Sequence, residues 1–397
     1  QTLIFRSYSR GLETGRDAWI YNYSEPRLRA GLAKTIDAYN RQVEQFAMVT
    51  NSQPTVKPKT LVDGFVDLDA TKISWTLSLK SRLAALRAVE FVEDGIRPAV
   101  YRPFSKQNCY FDRALNHIVG RLPSMFPTAH HSNLGIAVSD AASAAPFSCL
   151  AFDALPNLVV TAGAGNPAQF FPRWTYEQAD ETQGSLLGGS DSEVDEWGYR
   201  RVDNITDAVL AVYQRAFGDQ VTKDDVFFYV YGVLHSPQYR TTFAADLKRM
   251  LPRVPIAATR DDFEAFVVAG RKLSALHVGY ETVEPYPLHE QTPFTADPWE
   301  TFKVTKMRWA DKTNKRTLIV NEHVTLGDIP DAAHRYMLGS RSAIEWLIDR
   351  YQYKVDKDSG IVNDPNDWGR EHGDPRYIVD LVKRIVRVSV DTMKIVD

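Results

Sequence analysis

Cysteine is nearly absent from this 397-residue chain, in which Cys109 and Cys149 are the only two. Two thiols make neither a disulfide framework nor, alone, a structural zinc site. This scarcity fits a reducing compartment, and we expect a cytoplasmic location. Long apolar runs are missing as well, because a charged residue interrupts every stretch before the roughly 20 apolar residues of a membrane helix. The sequence therefore predicts a chain that does not span a membrane.

Several catalytic motifs are also missing. The Asn- or Asp-Pro-Pro-aromatic loop of amino-methylating enzymes cannot occur, since the sequence holds no Pro-Pro pair. No GxxxxGK[ST] loop is present to cradle a nucleotide phosphate. The pairs His130-His131 and His289-Glu290 do not form an HExxH zinc motif. We predict no catalytic residue, no metal site and no cofactor site in this chain.

The overall charge is nearly balanced, with 47 Lys and Arg against 50 Asp and Glu and a net charge of −3. Hydrophobic residues make up 44%, enough for the cores of two or three domains. One stretch stands apart, because residues 177–196 hold seven acidic side chains and no Lys or Arg. Such a composition is typical of a linker, and we place a domain boundary at residues 177–200.

Apolar spacing predicts a mixed α+β fold with several amphipathic helices and small sheets or hairpins. Residues 100–160 show short, Pro- and Gly-punctuated runs typical of strands and turns. Ser342 with Glu345 forms a capping-box pattern. Alternation between residues 301 and 324 predicts a β-hairpin turning at residues 311–314. Helical spacing is found at residues 26–49, 76–92, 205–217 (behind Asn204 as N-cap), 224–231, 239–250, 342–351 and 376–388.

The hairpin carries the most unusual local charge of the chain. Residues 301–316 contain six cations and one acid, Asp311, a local excess of five positive charges. Basic side chains on a two-stranded ribbon suit the phosphates and grooves of DNA. Lysines that protect a sheet edge against strand pairing explain the charge equally well. The candidate DNA-binding residues are Lys303, Lys306, Arg308, Lys312, Lys315 and Arg316, with further candidates at Arg102, Lys106 and Arg173.

Several stretches resemble one family, the C-terminal target-recognition regions of Type ISP restriction-modification enzymes. They include Arg-Asp-Ala-Trp-Ile-Tyr-Asn at residues 16–22 and Tyr-Arg-Pro-Phe at 101–104. The matches continue at residues 228–237, with Tyr239-Arg240, and at 251–256, and the long block around Tyr229 to Pro255 is the most specific. Further matches lie at residues 303–308 and between Tyr336 and Asp367. The resemblance extends over nearly the whole chain.

The resemblance implies a large single-chain parent enzyme with a nuclease, a helicase-like motor and an adenine-N6 methyltransferase. S-adenosylmethionine, ATP and Mg²⁺ are then cofactors of the parent and not of this chain. Residues 1–24 would be the trailing edge of the methyltransferase, followed by recognition subdomains at residues 25–176 and 201–397. The implied partners are double-stranded DNA and the other domains of the same polypeptide. The implied function is sequence-specific DNA recognition, with arginine to guanine as the commonest specific contact.

A different class of function fits the same sequence. The chain is then a module that couples the methyltransferase to the motor and contacts no bases. Tight, salt-insensitive association with the rest of the parent and no DNA binding would distinguish this alternative. A free-standing enzyme is the least favoured interpretation, because no nucleophile, metal or nucleotide constellation is visible.

Overall fold

A computed structural model describes residues 3–141, 143–179, 194–293 and 297–397. Within these residues the chain forms helices and short strands in alternation, which confirms the mixed α+β class. The helices are α1 (Asp17–Ile20), α2 (Glu25–Ser52), α3 (Pro58–Phe65), α4 (Leu77–Ala84), α5 (Asp207–Phe217), α6 (Lys223–His235), α7 (Pro237–Thr242), α8 (Ala244–Leu247), α9 (Arg260–Val278), α10 (Pro298–Thr301), α11 (Ala332–Arg335), α12 (Ala343–Arg350), α13 (Asn366–His372) and α14 (Tyr377–Val396).

The strands are short and mostly antiparallel. They are β1 (Ser9–Arg10), β2 (Tyr21–Asn22), β3 (Ile96–Arg102), β4 (Ser105–Tyr110), β5 (Gly135–Ser139), β6 (Cys149–Phe152), β7 (Leu155–Pro156), β8 (Ala168–Pro172), β9 (Trp174–Gln178), β10 (Tyr199–Asp203), β11 (His289–Gln291), β12 (Arg308–Trp309), β13 (Leu318–Ile319), β14 (Thr325–Gly327), β15 (Met337–Leu338), β16 (Arg341–Ser342), β17 (Lys354–Val355) and β18 (Val362–Asn363).

Three four-stranded sheets organise the described residues, with strand orders β1-β8-β5-β6, β2-β4-β3-β7 and β11-β14-β13-β12. The pairs β9-β10, β15-β16 and β17-β18 form separate two-stranded ribbons. Only the β3-β7 pairing among them is parallel. Short antiparallel strands of this kind need helices on their faces to bury enough apolar surface.

Local sequence explains most helix starts. Ser24 caps α2, because its hydroxyl accepts from the Arg27 amide at 3.2 Å, and Pro26 follows in the first turn. The capping box of Ser342 and Glu345 is present at α12, as the sequence predicts. In contrast, α5 is capped by Thr206 and not by Asn204. The Asn204 amide instead bridges Ser7 and Pro172, a contact between distant segments.

Two other helix predictions were wrong in extent. The helix predicted at residues 76–92 ends at Ala84, and Leu86 takes a left-handed φ of 53°. The helix predicted at residues 239–250 is divided into α7 and α8, separated at Phe243. Helical spacing of apolar residues therefore identifies the buried face better than it identifies the helix ends.

Helices α6 and α9 pack directly against each other through two glycines. A Cβ atom at Gly270 would lie 1.9 Å from the Phe228 carbonyl oxygen, and one at Gly232 would lie 2.3 Å from that of Phe266. Only glycine permits the two backbones to approach so closely. The block recognised in the sequence around Phe228 is thus a helix contact in the core.

The buried hydrophobic residues form two clusters. The larger one joins residues from Leu12 to Phe170 with residues from Tyr280 to Val390. The smaller one joins β5 and β6 to α5, α6 and α9.

The predicted linker falls mostly on residues 180–193, outside the described residues, and its described flanks pair as β9 with β10. The subdomain boundaries stay a prediction. Among the described residues, no helix is both long enough and apolar enough to cross a bilayer.

Candidate nucleic-acid interface

The predicted basic hairpin exists but is shorter than the sequence pattern indicates. Arg308 pairs with Ile319 and Trp309 with Leu318, and the Ala310 amide donates to the Thr317 carbonyl at 3.0 Å. Leu318 is fully buried, so one face of the ribbon lies on the core. The pairing is confirmed, whereas the predicted strand span of 301–324 was wrong.

The segment before the hairpin is held by a side chain and not by a strand partner. The Asn366 amide accepts from the Val304 backbone nitrogen at 2.8 Å and donates to its carbonyl at 2.8 Å. Val304 and Met307, three residues apart, both point into the core. Lys303 and Lys306 consequently lie on an irregular segment beside the hairpin.

The turn of the hairpin is fixed by Asp311. Its carboxylate accepts from the Thr313 hydroxyl and amide at 2.7 Å and from the Asn314 amide at 3.3 Å. These hydrogen bonds lower the pKa of Asp311. The one acid of the basic segment is therefore used in holding the turn that presents Lys312.

Four hairpin cations are exposed and form no ion pair within the part of the chain that the structure describes: Lys306, Arg308, Lys312 and Arg316. The other two cations, Lys303 and Lys315, are in ion pairs. Lys315 contacts the Glu345 carboxylate at 2.5 Å, and Lys303 lies 3.4 Å from Glu300. Unpaired, exposed cations are the groups that exchange counterions for phosphates most readily.

Three of the predicted residues, Lys303, Lys306 and Arg308, line one cleft of about 680 Å³. Its other lining residues are Glu300, Thr305, Ile319, Asn321, Glu322, His323 and Thr325. Asn321 is structural, since its amide donates to the carbonyls of Thr301 and Lys303, each at 2.8 Å. The cleft thus combines free cations with hydroxyl and imidazole groups, the donor and acceptor types that contact phosphates and base edges.

Sequence reasoning missed Thr305, His323 and Thr325 as members of this cleft. Thr325 lies on β14, which pairs with β13 behind the hairpin. The alternation of residues 318–326 indicates a strand pair, but the packing of residues 303–308 against it depends on Asn366, far away in the sequence. No local signal brings these side chains together.

The remaining predicted residues are held inside the fold. Arg173 is only 5% exposed and contacts Asp224 and Asp203, each at 2.6 Å. Arg102 is 7% exposed and donates to the Asn157 side chain at 2.7 Å. Lys106 contacts Glu281 at 2.8 Å. Arg173 and Lys106 are thus paired with carboxylates, whereas Arg102 donates, among the described residues, only to neutral groups. A role of these three residues in DNA binding stays a prediction.

Comparisons with known proteins agree with one another. The family profile of the Type ISP C-terminal specificity domain matches residues 3–381. A nuclease-deletion mutant of the Type ISP restriction-modification enzyme LlaGI, in complex with a DNA substrate mimic, is 35% identical with a TM-score of 0.82. That match covers 99% of this chain and 33% of the nuclease-deleted LlaGI chain.

Two further solved structures are similar. The ATP-dependent Type ISP restriction-modification enzyme LlaBIII, bound to DNA, is 29% identical with a TM-score of 0.81, over 100% of this chain and 23% of that one. DrdV, in a DrdV–DNA complex, is 30% identical with a TM-score of 0.79. That match covers 99% of this chain and 36% of the DrdV chain. A comparison with curated proteins gave no match.

This chain corresponds to about a quarter to a third of the length of these enzymes. The family profile spans nearly all of it, and the fold agrees over its whole length. The chain belongs to the Type ISP C-terminal specificity domain family.

Proposed function

We propose that this chain recognises a specific double-stranded DNA sequence as the target-recognition part of a restriction-modification enzyme. The observation that carries the proposal is a set of four exposed cations on the hairpin and the segment that leads into it, none of which forms an ion pair with another described residue: Lys306, Arg308, Lys312 and Arg316. Family membership supports it, and so do the similar structures, because LlaBIII and DrdV are in complex with DNA and LlaGI is in complex with a DNA substrate mimic.

Phosphate contacts and base contacts have different roles in this proposal. Lysines of the hairpin hold the duplex backbone and set its orientation. Arg308 lines the cleft together with Lys306, His323 and Thr325. A planar guanidinium donates two parallel hydrogen bonds to guanine, which makes Arg308 our choice for direct readout.

The rest of the enzyme lies outside this chain. We propose that the parent polypeptide supplies adenine methylation and ATP-dependent cleavage, with S-adenosylmethionine, ATP and Mg²⁺ bound there. Among the described residues, His, Cys, Asp and Glu side chains form no group of three suited to a metal ion. We propose that the enzyme acts on DNA in the cytoplasm.

A charge-neutralising pair of substitutions tests the interface. Lys306→Gln/Arg308→Gln removes two free cations from the cleft, and Lys34→Gln/Lys59→Gln removes two exposed cations from α2 and α3. The dissociation constant for duplex DNA is measured against salt concentration for both variants. We expect the slope of log affinity against log salt to fall by about 0.9 for each phosphate that the cleft variant no longer neutralises.

The control variant should retain the wild-type slope and affinity. Equal slopes in all three proteins would remove the cleft from the interface. Absence of salt-dependent binding in the wild-type chain would contradict DNA recognition altogether and would favour the coupling function.

A further inference from the structure

A second cleft of about 690 Å³ lies beside the first one, at the junction of the two halves of the chain. One wall comes from Asp17, Tyr21 and Tyr101, and the other comes from the segment between Arg350 and Asn363, which contains the β17-β18 ribbon. Three stretches that carry the family resemblance therefore meet at this place. The proposed DNA interface leaves them without a role.

The β17-β18 ribbon is fixed firmly against the first half. The Asn22 side chain donates to the Val362 carbonyl at 2.9 Å. The Asn363 side chain accepts from the Tyr23 amide at 3.0 Å and donates to Gln107 at 3.1 Å. These bonds hold the cleft open at a defined width, so its lining is preorganised for a ligand.

Three cations contact one residue, Asp349, beside this cleft. Arg341 contacts Oδ2 of Asp349 at 2.7 Å, and the Arg350 guanidinium contacts the same oxygen. Lys354 Nζ donates to the Asp349 backbone carbonyl at 3.3 Å. Of these residues, Arg350 and Lys354 line the cleft. Within this group of four side chains positive charge exceeds negative charge by two, and the buried Arg102 also acts electrostatically on Lys354.

The pKa of Lys354 reflects burial and this excess of positive charge. Burial lowers its pKa, and the nearby guanidinium groups of Arg350, Arg102 and Arg341 lower it further against the opposing effect of Asp349. The ammonium group is nonetheless on an exposed residue. An anion placed here would relieve the repulsion among the cations.

The cations and carboxylates that line the cleft balance in number, with Arg350, Lys354 and Lys357 against Asp17, Asp356 and Asp358. Asp17 accepts from the Tyr101 hydroxyl at 3.1 Å, and Asp356 accepts from the Ser359 amide at 2.8 Å. The excess of positive charge therefore belongs to the group of Arg341, Arg350 and Lys354 around Asp349 and not to the cleft as a whole.

The two clefts are joined by one backbone hydrogen bond. The Tyr353 amide donates to the carbonyl of Thr305 at 3.0 Å, and Thr305 lines the first cleft while Tyr353 lines the second. Tyr353 is 46% exposed at this junction. Lys306 and Lys354, which follow Thr305 and Tyr353 in the sequence, therefore lie on two neighbouring segments.

We propose that Lys354, with Arg341 and Arg350, forms a second phosphate-binding site for the DNA backbone, contiguous with the basic hairpin across Tyr353. The proposal rests on the proposed function and extends its interface onto the β17-β18 ribbon. The ligand class is the phosphodiester group of duplex DNA, contacted by charge-assisted hydrogen bonds.

Salt-dependent duplex binding by the whole chain tests the site. Lys354→Gln is compared with Lys34→Gln, which removes an exposed lysine from α2, and with Lys306→Gln/Arg308→Gln. We expect Lys354→Gln to lower the salt slope by about 0.9, the value for one phosphate, and Lys34→Gln to leave it unchanged. A wild-type slope in Lys354→Gln, with a lower slope in the hairpin variant, would overturn this site alone. Unchanged slopes in both would overturn the proposed function as well.

NMR of the Lys354 side chain gives a second, direct readout that does not depend on a substitution. Binding of a duplex should raise the pKa of Lys354, because a phosphate stabilises its ammonium form. An unchanged value in the duplex-bound protein would overturn the proposal. A rise with inorganic phosphate and none with duplex would also overturn it, because the anion site would then lie outside the DNA interface.

Discussion

Asn366 is the residue that shapes the segment leading into the basic hairpin. Its side chain forms hydrogen bonds with both the amide and the carbonyl group of the fully buried Val304, at 2.8 Å each. Asn366→Ala leaves a buried donor and acceptor without partners, and we expect a loss of roughly 2 to 3 kcal/mol in the free energy of unfolding. Chemical denaturation measures this loss.

The matched control for this substitution is Asn314→Ala, at an exposed position in the hairpin turn. We expect it to change stability by less than about 0.5 kcal/mol, as is usual for surface positions. A comparable loss in both variants would contradict the role given to Asn366. Weaker DNA binding by Asn366→Ala alone would link the shape of this segment to the cleft.

His277 makes stability depend on pH. The ring is buried; its Nδ1 is hydrogen-bonded to the Tyr231 hydroxyl at 2.5 Å, and its Nε2 is hydrogen-bonded to the Thr392 hydroxyl at 2.9 Å. Burial, and to a smaller extent Arg240, lower the pKa of His277 from 6.5 to about 3. The folded state therefore holds a neutral ring, whereas the unfolded state takes up a proton below about pH 6.5.

This difference in proton binding makes the free energy of unfolding decrease as the pH falls. Stability from His277 is complete above pH 6.5 and declines as the pH falls toward 3, by up to about 1.4 kcal/mol per pH unit. We expect His277→Gln to show a shallower decline in unfolding free energy between pH 6.5 and 4.5. Any offset between the two proteins should be constant above pH 7. Parallel curves over the whole range would contradict this prediction.

At the scale of elements, the crossing of α6 and α9 leaves no space for a side chain at Gly270. A methyl group at Gly270 has a carbonyl oxygen 1.9 Å away, so Gly270→Ala forces the helices apart. We expect a loss of roughly 3 kcal/mol or more in urea unfolding, at the upper end for overpacked cores.

Gly64, inside α3, provides the control. Its added methyl group would meet no heavy atom within 4 Å among the described residues. We expect Gly64→Ala to be neutral or to stabilise by up to about 1 kcal/mol, because alanine is the better helix former. Similar losses in both variants would show that the helix crossing tolerates separation.

The elements also show what sequence patterns can and cannot predict. The helices α2, α5, α6, α12 and α14 follow from apolar spacing, because their buried faces are local features of the chain. The extent of the hairpin does not, because the amide of Asn366 replaces a strand partner at Val304. The role of Asn204 was likewise hidden, since its partners Ser7 and Pro172 are distant in sequence.

At the scale of the whole molecule, local charge identified a segment of mostly exposed cations but did not reveal which single cations are buried. The cations of the hairpin are exposed, with the exception of the half-buried Lys315. Arg102 and Arg173 carry the same charge but are buried against partners in other segments, which no local composition reveals. The contribution of Lys354 is also non-local, because its ribbon reaches the hairpin only through the contact between Tyr353 and Thr305.

The central claim is that this chain by itself selects a DNA sequence through the basic hairpin. The most direct measurement is recovery of bound duplexes from a randomised library at two salt concentrations, using the wild-type chain and Lys306→Gln/Arg308→Gln. We predict a shared sequence motif with the wild-type chain, and a reduced or altered motif with the variant, because Arg308 is placed to read a base. Duplexes recovered without any motif, or no recovery at either salt concentration, would contradict the account.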